Sequence, residues 1–432
     1  MKITKFKTLN LLMLTSILPY AHNAQATDNQ YVKMQNEIAI LSNQVSALQL
    51  HASSDEFVTT GKVGAGFVAN ASDQNRSLSI LQLIQNFKDI PALNIGVDTQ
   101  VNAMEGFRTS NDSIGPNDNY IANTSISKIF LNDAKIVMLA NANDYIHFQG
   151  RFGQIIPLVD NDASQLTLED ATIFFGNLNK TPFYAEAGQE YVNFGVYNVG
   201  WFPTDSLSKQ LFFTTSLPEV LAGYYSNGIN LTVSAYQRDN PDTAVNTPNN
   251  PAFAAQVQYE YDFGDNNLTF GTGILTDERG SGSGIAQLIH ESNKNGGINT
   301  SALPALDINT SLTYGSFDIN VEYNKLLEPV YLGQSKESSN VSAVSTQVDY
   351  VINTVKAITL SAGYSQSFGL KYVNTTGGSW NNSVKNMVQG GVDVQATENV
   401  DVGIENTYAR EYTSENKLNS VDTITLLIHA IF

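Results

Sequence analysis

The chain reads as an all-β transmembrane antiparallel barrel of about 16 strands, with about 18 as the alternative, preceded by a short N-terminal coiled-coil helix. Three observations predict this. The closing segment Val421 to Phe432 alternates with period two and ends on an aromatic residue. From Phe57 onward the sequence breaks into further alternating segments, each about ten residues long. Between them, short turns rich in Gly, Asn and Asp take turns with long polar loops.

In the closing segment, Ile424, Leu426, Ile428 and Ala430 form one apolar row, and Thr423, Thr425, Leu427, His429 and Ile431 form the mixed row opposite. A strand that shows one face to lipid and the other to a wet lumen needs this pattern over about 9–11 residues. A chain ending on Phe432 after such a strand also resembles the terminal signal read by the outer-membrane barrel assembly machinery.

Composition agrees. Charged residues are only 15%, aromatics are 10% with 20 Tyr and 21 Phe, and no apolar run approaches the length of a membrane helix, about 18 residues. Mean hydropathy is slightly negative at −0.16, as expected when a lipid face and a wet face average out.

The first residues carry Lys2, Lys5 and Lys7, an apolar run from Leu9 to Leu18, and the small-residue site Ala24-Gln25-Ala26. This is the pattern of a secretory signal peptide over 1–26, so the expected location is the outer membrane of a Gram-negative cell, reached through the periplasm. The chain has no cysteine, which excludes a lipid-modified Cys after the signal, a disulfide framework and a thiolate metal site. Without the three signal lysines, 20 basic residues face 41 acidic ones, a balance that disfavours nucleic acid.

Residues 27–56 follow. Tyr31, Met34, Ile38, Leu41, Val45 and Leu48 are spaced three and four apart, a heptad seam of about three repeats. It predicts either a periplasmic coiled coil through which copies of the chain oligomerise, or an amphipathic helix lying on the barrel mouth. The segment is too short for the folded plug of energy-coupled iron receptors.

The barrel occupies 57–432. Its clearest hairpin sets Phe253, Ala255, Val257, Tyr259, Tyr261 and Phe263 on one face, turns at Gly264-Asp265-Asn266-Asn267, and returns through Leu268, Phe270, Thr272 and Ile274. A second runs Leu306 to Tyr314, turns at Gly315-Ser316, and returns through Phe317 to Tyr323. Tyr and Phe beside the turns match the aromatic girdles of membrane interfaces. Counting back from Phe432 gives fourteen strands to residue 145, then one over 121–140, with a hairpin at Asn132-Asp133 as the alternative, and one over 93–107. Residues 58–70 and 78–87 are expected either to add a further pair of strands or to fold inside the barrel as a small plug.

With the apolar rows facing lipid, the pore-lining candidates are Asp98, Glu186, Glu190, Glu260, Asp262, Asp307, Asp318, Glu322, Asp349, Asp393, Asp401 and Glu405, joined by His147, Arg151 and Lys385. So acidic a lumen predicts cation preference. The loop after Gly195 holds Trp201, Phe202, Phe212 and Phe213 and is too apolar to stand in solvent, so it is expected to form a constriction inside the lumen or to pack on the rim. The Gly-Ser run at 280–284 followed by His290-Glu291 lacks the spacing of a metal or phosphate site, and no Ser-His-Asp arrangement stands in suitable strand context, so no metal, cofactor or enzymatic activity is expected.

The Gly-rich stretch Gly61-Lys62-Val63-Gly64-Ala65-Gly66-Phe67 and the block Phe183 to Gly195, behind a signal and a short coiled coil, resemble the LbtU-like siderophore porin family over nearly the whole mature chain. The resemblance implies an outer-membrane barrel that takes up ferric siderophores without an energy-coupled plug. It carries no ligand motif residue by residue. An acidic lumen opposes it for anionic ferric complexes, unless Arg151, Lys385 and the loop residues Arg108, Arg238 or Arg279 form a local cationic site.

Overall fold

The computed structural model describes residues 58–59, 78–82, 93–109, 123–155, 165–195, 202, 204–238, 251–294, 302–331, 338–353, 356–370, 383–397, 399–412 and 418–431. The expected signal peptide and coiled coil, the whole Gly-rich stretch from Gly61 to Phe67, Trp201, Trp380 and Phe432 lie outside them.

Sixteen antiparallel strands close on themselves. They are β1 (Leu93–Thr109), β2 (Asn123–Asn143), β3 (Ile146–Ile155), β4 (Gln165–Gly176), β5 (Phe183–Tyr191), β6 (Ser216–Ser226), β7 (Ile229–Tyr236) and β8 (Ala252–Phe263). The second half comprises β9 (Asn266–Leu275), β10 (Ala305–Tyr314), β11 (Phe317–Leu326), β12 (Ser342–Asn353), β13 (Ala357–Phe368), β14 (Ser383–Thr397), β15 (Val400–Tyr412) and β16 (Leu418–Ile431). Each pairs with its neighbour in sequence, and β16 pairs with β1 from Ser420↔Thr109 to Ile431↔Asp98. That last pairing settles the count at sixteen.

The single strand expected over 121–140 runs from Asn123 to Asn143, and Asn132 is absorbed as a bulge between the pairs Gln100↔Asp133 and Val101↔Leu131 in place of a hairpin. Of residues 58–70 and 78–87, for which a strand pair is one expectation, the described ones add no strand pair to the barrel. Val58–Thr59 makes a two-residue parallel contact with β1, and 78–82 are helical. The loop at 277–304 is no plain polar loop either: it holds a 3-10 turn (Glu278–Gly280) and a helix (Gly284–Lys294) whose Ile285, Leu288 and Ile289 are buried.

Alternation sets the two faces. On β16, Ile424, Leu426 and Ile428 stand about half exposed on the outer wall, while Leu427 and Thr425 point inward and are buried. The outer wall carries aromatic rows near both ends. Beside the short turns, Phe183 meets Tyr224 at 5.3 Å, Tyr261 stacks on Phe263 at 5.8 Å, and Phe317 lies 4.7 Å from Tyr350. Toward the long loops stand Phe107, Phe253, Tyr364, Phe368 and Tyr408. This belt between two girdles places the barrel in the outer membrane, short turns periplasmic and long loops outside.

The turns use the backbone conformations that hairpins need. At the β7 hairpin Asn227 has φ 51° and Gly228 φ 77°, a turn whose twist matches its strands. Gly223 serves packing instead. It lets the Tyr184 ring lie flat on β6, where the Tyr184 hydroxyl donates to Asn230 Oδ1 at 2.7 Å, and a Cβ on Gly223 would come within 2.1 Å of that ring. Gly223→Val should therefore lower barrel stability by about 1–3 kcal/mol through overpacking. The readout is the temperature at which the compact, fast-migrating form unfolds on a denaturing gel. Gly390→Ala, where an added Cβ meets nothing within 4 Å, should leave that temperature unchanged.

Candidate functional site: a folded-in loop across an acidic lumen

The chain leaves β5 at Tyr191 and re-enters the wall at Ser216, and the described residues between, 192–195, 202 and 204–215, lie inside the lumen. Val192 and Phe194 are fully buried at the start of the crossing. Phe202 reaches Gly363 on β13, where an added Cβ would lie 3.2 Å from its ring. Since β13 stands eight places from β5 in a ring of sixteen, the segment spans the barrel from wall to opposite wall.

Polar groups fix it there. The Thr204 N–H donates to Glu405 Oε2 at 3.1 Å, and its carbonyl accepts from Gln389 Nε2 at 2.6 Å. Thr407 and Gln389 also donate to the other oxygen of Glu405. Helix α1 (Leu207–Phe212) follows, capped by Ser206 Oγ on the Lys209 N–H, and the Ser208 N–H donates to Ser345 Oγ on β12. Phe202, Phe212 and Phe213 of this apolar loop lie on the inner side of the wall. Phe212 is fully buried, and Phe213 packs 4.9 Å from Tyr191.

A second helix, α2 (Gly284–Lys294), packs on α1 from the long loop after β9. Leu211 and Phe212 join Ile285, Leu288 and Ile289 of α2, with Tyr236, Leu275, Ala305, Leu326 and Ala343 from the inner wall, in one dry cluster. It fills the extracellular half of the lumen beside β6 to β12. Gly282 permits the approach: its φ is 73°, and a Cβ there would strike Thr215 Oγ1 at 1.9 Å.

The root of this cap is a buried charge cluster. Asp277 accepts from Arg279 at 2.6 Å, from Arg238 at 3.2 Å and from the Leu303 N–H at 3.2 Å. Burial alone would raise its pKa, but the bonds and charge of Arg279, with Leu303 and Arg238, bring it below the ordinary value. Beside it Glu278 is wholly buried, accepting from Ser283 Oγ at 2.5 Å and Ser281 Oγ at 3.2 Å, and burial pushes its carboxyl up to about 8.

The remaining residues expected in the pore fall into two groups. Arg151 on β3 is buried and neutralised, 2.9 Å from Glu169 and 2.6 Å from Asp170, with its guanidinium 5.1 Å from the Tyr191 ring centre. His147, Glu186 and Glu190 share this inner wall and are also buried, His147 bonding Asn141 at 2.8 Å and Glu190 accepting from the Tyr191 N–H at 2.9 Å. Asp307 and Glu322 are buried too, Asp307 accepting from Asn309 and Asn324.

The second group faces open lumen toward the periplasmic end. Glu260 and Asp262 share Asn267 Nδ2 at 3.0 and 2.8 Å, and Asp318 accepts from Thr313 at 2.6 Å. Asp393 and Asp401 continue the arc on β14 and β15 and stand half-buried. At the closing seam His429 Nε2 lies 2.7 Å from Asp98 Oδ1, with Lys135 opposite Asp98 in the β1–β2 register. Lys385 sits in a bulge at the extracellular end of β14, its Nζ 5.7 Å from the Tyr412 ring centre. Among the described residues no group of three or more His, Asp or Glu is arranged to hold a metal ion.

Sequence reading missed Glu219, Glu169 and Asp170. On β6 the inward Leu217 and Leu221 that flank Glu219 are as apolar as the outward Pro218, Val220 and Ala222, so alternation had little contrast to read.

With the geometry in place, known proteins give this comparison. Neither a protein-family model nor a curated protein sequence matches the chain. Among solved structures, the outer membrane channel DcaP of Acinetobacter baumannii superposes with a TM-score of 0.52 at 14% identity, over 80% of this chain and 99% of that one. An anion-selective porin from Comamonas acidovorans matches at 8% identity with a TM-score of 0.49, over 79% of this chain and 99% of its own. The fold is that of an outer-membrane porin.

Two outcomes test the site. Glu405→Ala with Gln389→Ala removes the anchors of Thr204, and losing a charge-assisted bond costs about 1.5–3 kcal/mol. Single-channel recordings of this variant should show larger and noisier conductance. The second concerns Glu278. Its folded pKa of about 8 exceeds the ordinary 4.5, so the docked cap binds the proton more tightly than the undocked one. That stabilisation is complete below the ordinary value and is lost as pH rises through about 8. Protease nicking of the 277–304 loop should accelerate across this window, and Glu278→Gln should flatten the dependence.

Proposed function

We propose that the protein is a passive outer-membrane diffusion channel that favours cationic and neutral solutes over anions. The observation that carries this is the arc of carboxylates along β8 to β15, Glu260, Asp262, Asp318, Asp393 and Asp401, facing a path already narrowed by the crossing loop, with Asp349 buried in the same inner wall. An acidic wall in a confined, low-dielectric channel raises the local concentration of cations and the energy of anions. The basic residues named at the wall do not offset it. Arg151, Arg238 and Arg279 are held by carboxylates, Lys135 stands opposite Asp98 in the strand register, and Lys385 lies at the rim.

Uptake of ferric siderophores, which the family resemblance implies, is compatible with this wall for one charge class. A ferric complex of zero or positive net charge, such as a trishydroxamate bearing a free amine, meets no repulsion there. A ferric polycarboxylate does. Expected partners are outer-membrane lipid and the assembly machinery that reads the last strand, and oligomerisation through the N-terminal heptads belongs to the same proposal.

Planar-bilayer recordings in a salt gradient test the reading. The reversal potential should report cation selectivity, and Asp318→Asn with Asp393→Asn should reduce it, since each lost charge weakens the field without changing the pore width much. Ferric trishydroxamates should block the current at lower concentration than ferric polycarboxylates. Anion selectivity in the unmodified protein, or block by polycarboxylates alone, would overturn the proposal.

A further inference from the structure

A polar lumen has no use for an apolar patch on its wall, yet one exists. Near the periplasmic ends of β2, β4, β5 and β6, the inward side chains are Val137, Leu139, Phe174, Tyr184 and Leu221, all buried. What covers them is the helical turn at 78–82. Leu78, Ile80 and Leu81 are at most 6% exposed, Ile80 packing with Val137, Leu139 and Phe174, and Leu78 and Leu81 with Tyr184 and Leu221. The fit is close, since a Cβ on Gly176 would come within 3.1 Å of the Leu81 Cδ1. Ser79 and Gln82, the polar members of the turn, are left half-exposed.

The turn therefore occupies lumen cross-section on the β2 to β6 side, at the end of the barrel opposite the α1–α2 cluster. The carboxylate arc lies on the other wall at this level, on β8 to β15. A solute that has passed the crossing loop must still pass between the two.

We propose that the helical turn at 78–82 is a second constriction, placed at the periplasmic exit, that sets the upper size of solutes the channel passes. The proposal rests on the diffusion-channel reading above. It makes Leu78, Ile80 and Leu81 specificity-determining residues without giving them any contact with the solute: their burial holds the turn in the path, and the polar side of the turn forms the edge of the hole.

The test is single-channel conductance, together with liposome swelling in neutral sugars of increasing size, on the full chain and on Ile80→Asp/Leu81→Asp. Two buried charges should eject the turn, raise conductance about twofold or more and admit larger sugars. Cation selectivity should persist, because the carboxylate arc is untouched. A folded variant, judged by its heat-dependent gel mobility, with unchanged conductance and size limit would overturn the proposal.

A milder probe guards against misfolding. The natural chain has no cysteine, so Ser79→Cys offers a single thiol, and a bulky cationic methanethiosulfonate should reduce its current in discrete steps. No change on complete labelling would equally overturn the constriction. The two readings fail differently. Current in the Asp variant but none in the natural chain would extend the constriction to full closure and overturn the open-channel reading alone, whereas no current in either would overturn both.

Discussion

Backbone amides and carbonyls have no water to bond with inside a bilayer, and everything in this protein follows from meeting that demand. An open sheet would leave two edges unpaired in lipid, so the chain must bring β16 back to β1 through a continuous run of pairs from Ser420↔Thr109 to Ile431↔Asp98. Inside the wall the His429–Asp98 contact at 2.7 Å ties the same two strands near the periplasmic end. Closure fixes which face of each strand looks outward, and that assigns every other residue to lipid or lumen. The Phe-Tyr rows, the Gly-Asn turns and the carboxylate rows are consequences of that single assignment.

The lumen is divided into regions of different chemistry. Beside β6 to β12 its outer half is dry, filled by α1, α2 and inward Leu, Ile and Ala side chains. Beside β2 to β6 its inner half is also dry, under Ile80 and Leu81. The polar path that remains is bounded by the crossing loop held on Glu405 and Gln389 and, nearer the periplasm, by the carboxylates on β8 to β15. Such an arrangement lets a sixteen-stranded wall, wide by construction, act as a narrow channel. The wall supplies stability, and the inserted segments supply selectivity.

Charge is handled by the same division. Some carboxylates are paired with arginine: Asp170 and Glu169 hold Arg151, and Asp277 binds Arg279 and Arg238. Those that face the open path have neutral amides and hydroxyls as partners, as Asn267 is for Glu260 and Asp262 and Thr313 is for Asp318. Neutral partners leave the negative charge uncompensated. The net field is therefore set by which acids pair with Arg, a matter of packing rather than of composition.

By itself the sequence determined the barrel class, the outward rows, nearly every hairpin and the acidic inner face, because a strand in lipid writes its environment into a period of two. The bounds of β8, β10 and β15 could be read directly from Ala252–Phe263, Ala305–Tyr314 and Val400–Tyr412. Only the tertiary structure decided that Arg151 is spent on Glu169 and Asp170, that Phe212 belongs to a core rather than to a solute-facing eyelet, and that 78–82 is a helical turn against Val137 and Phe174. These contacts join residues far apart in the chain, and for Glu219 and Val137 the two strand faces are alike in apolarity. Local periodicity shows which side of the wall a residue stands on, and the long-range packing inside the barrel decides what it meets there.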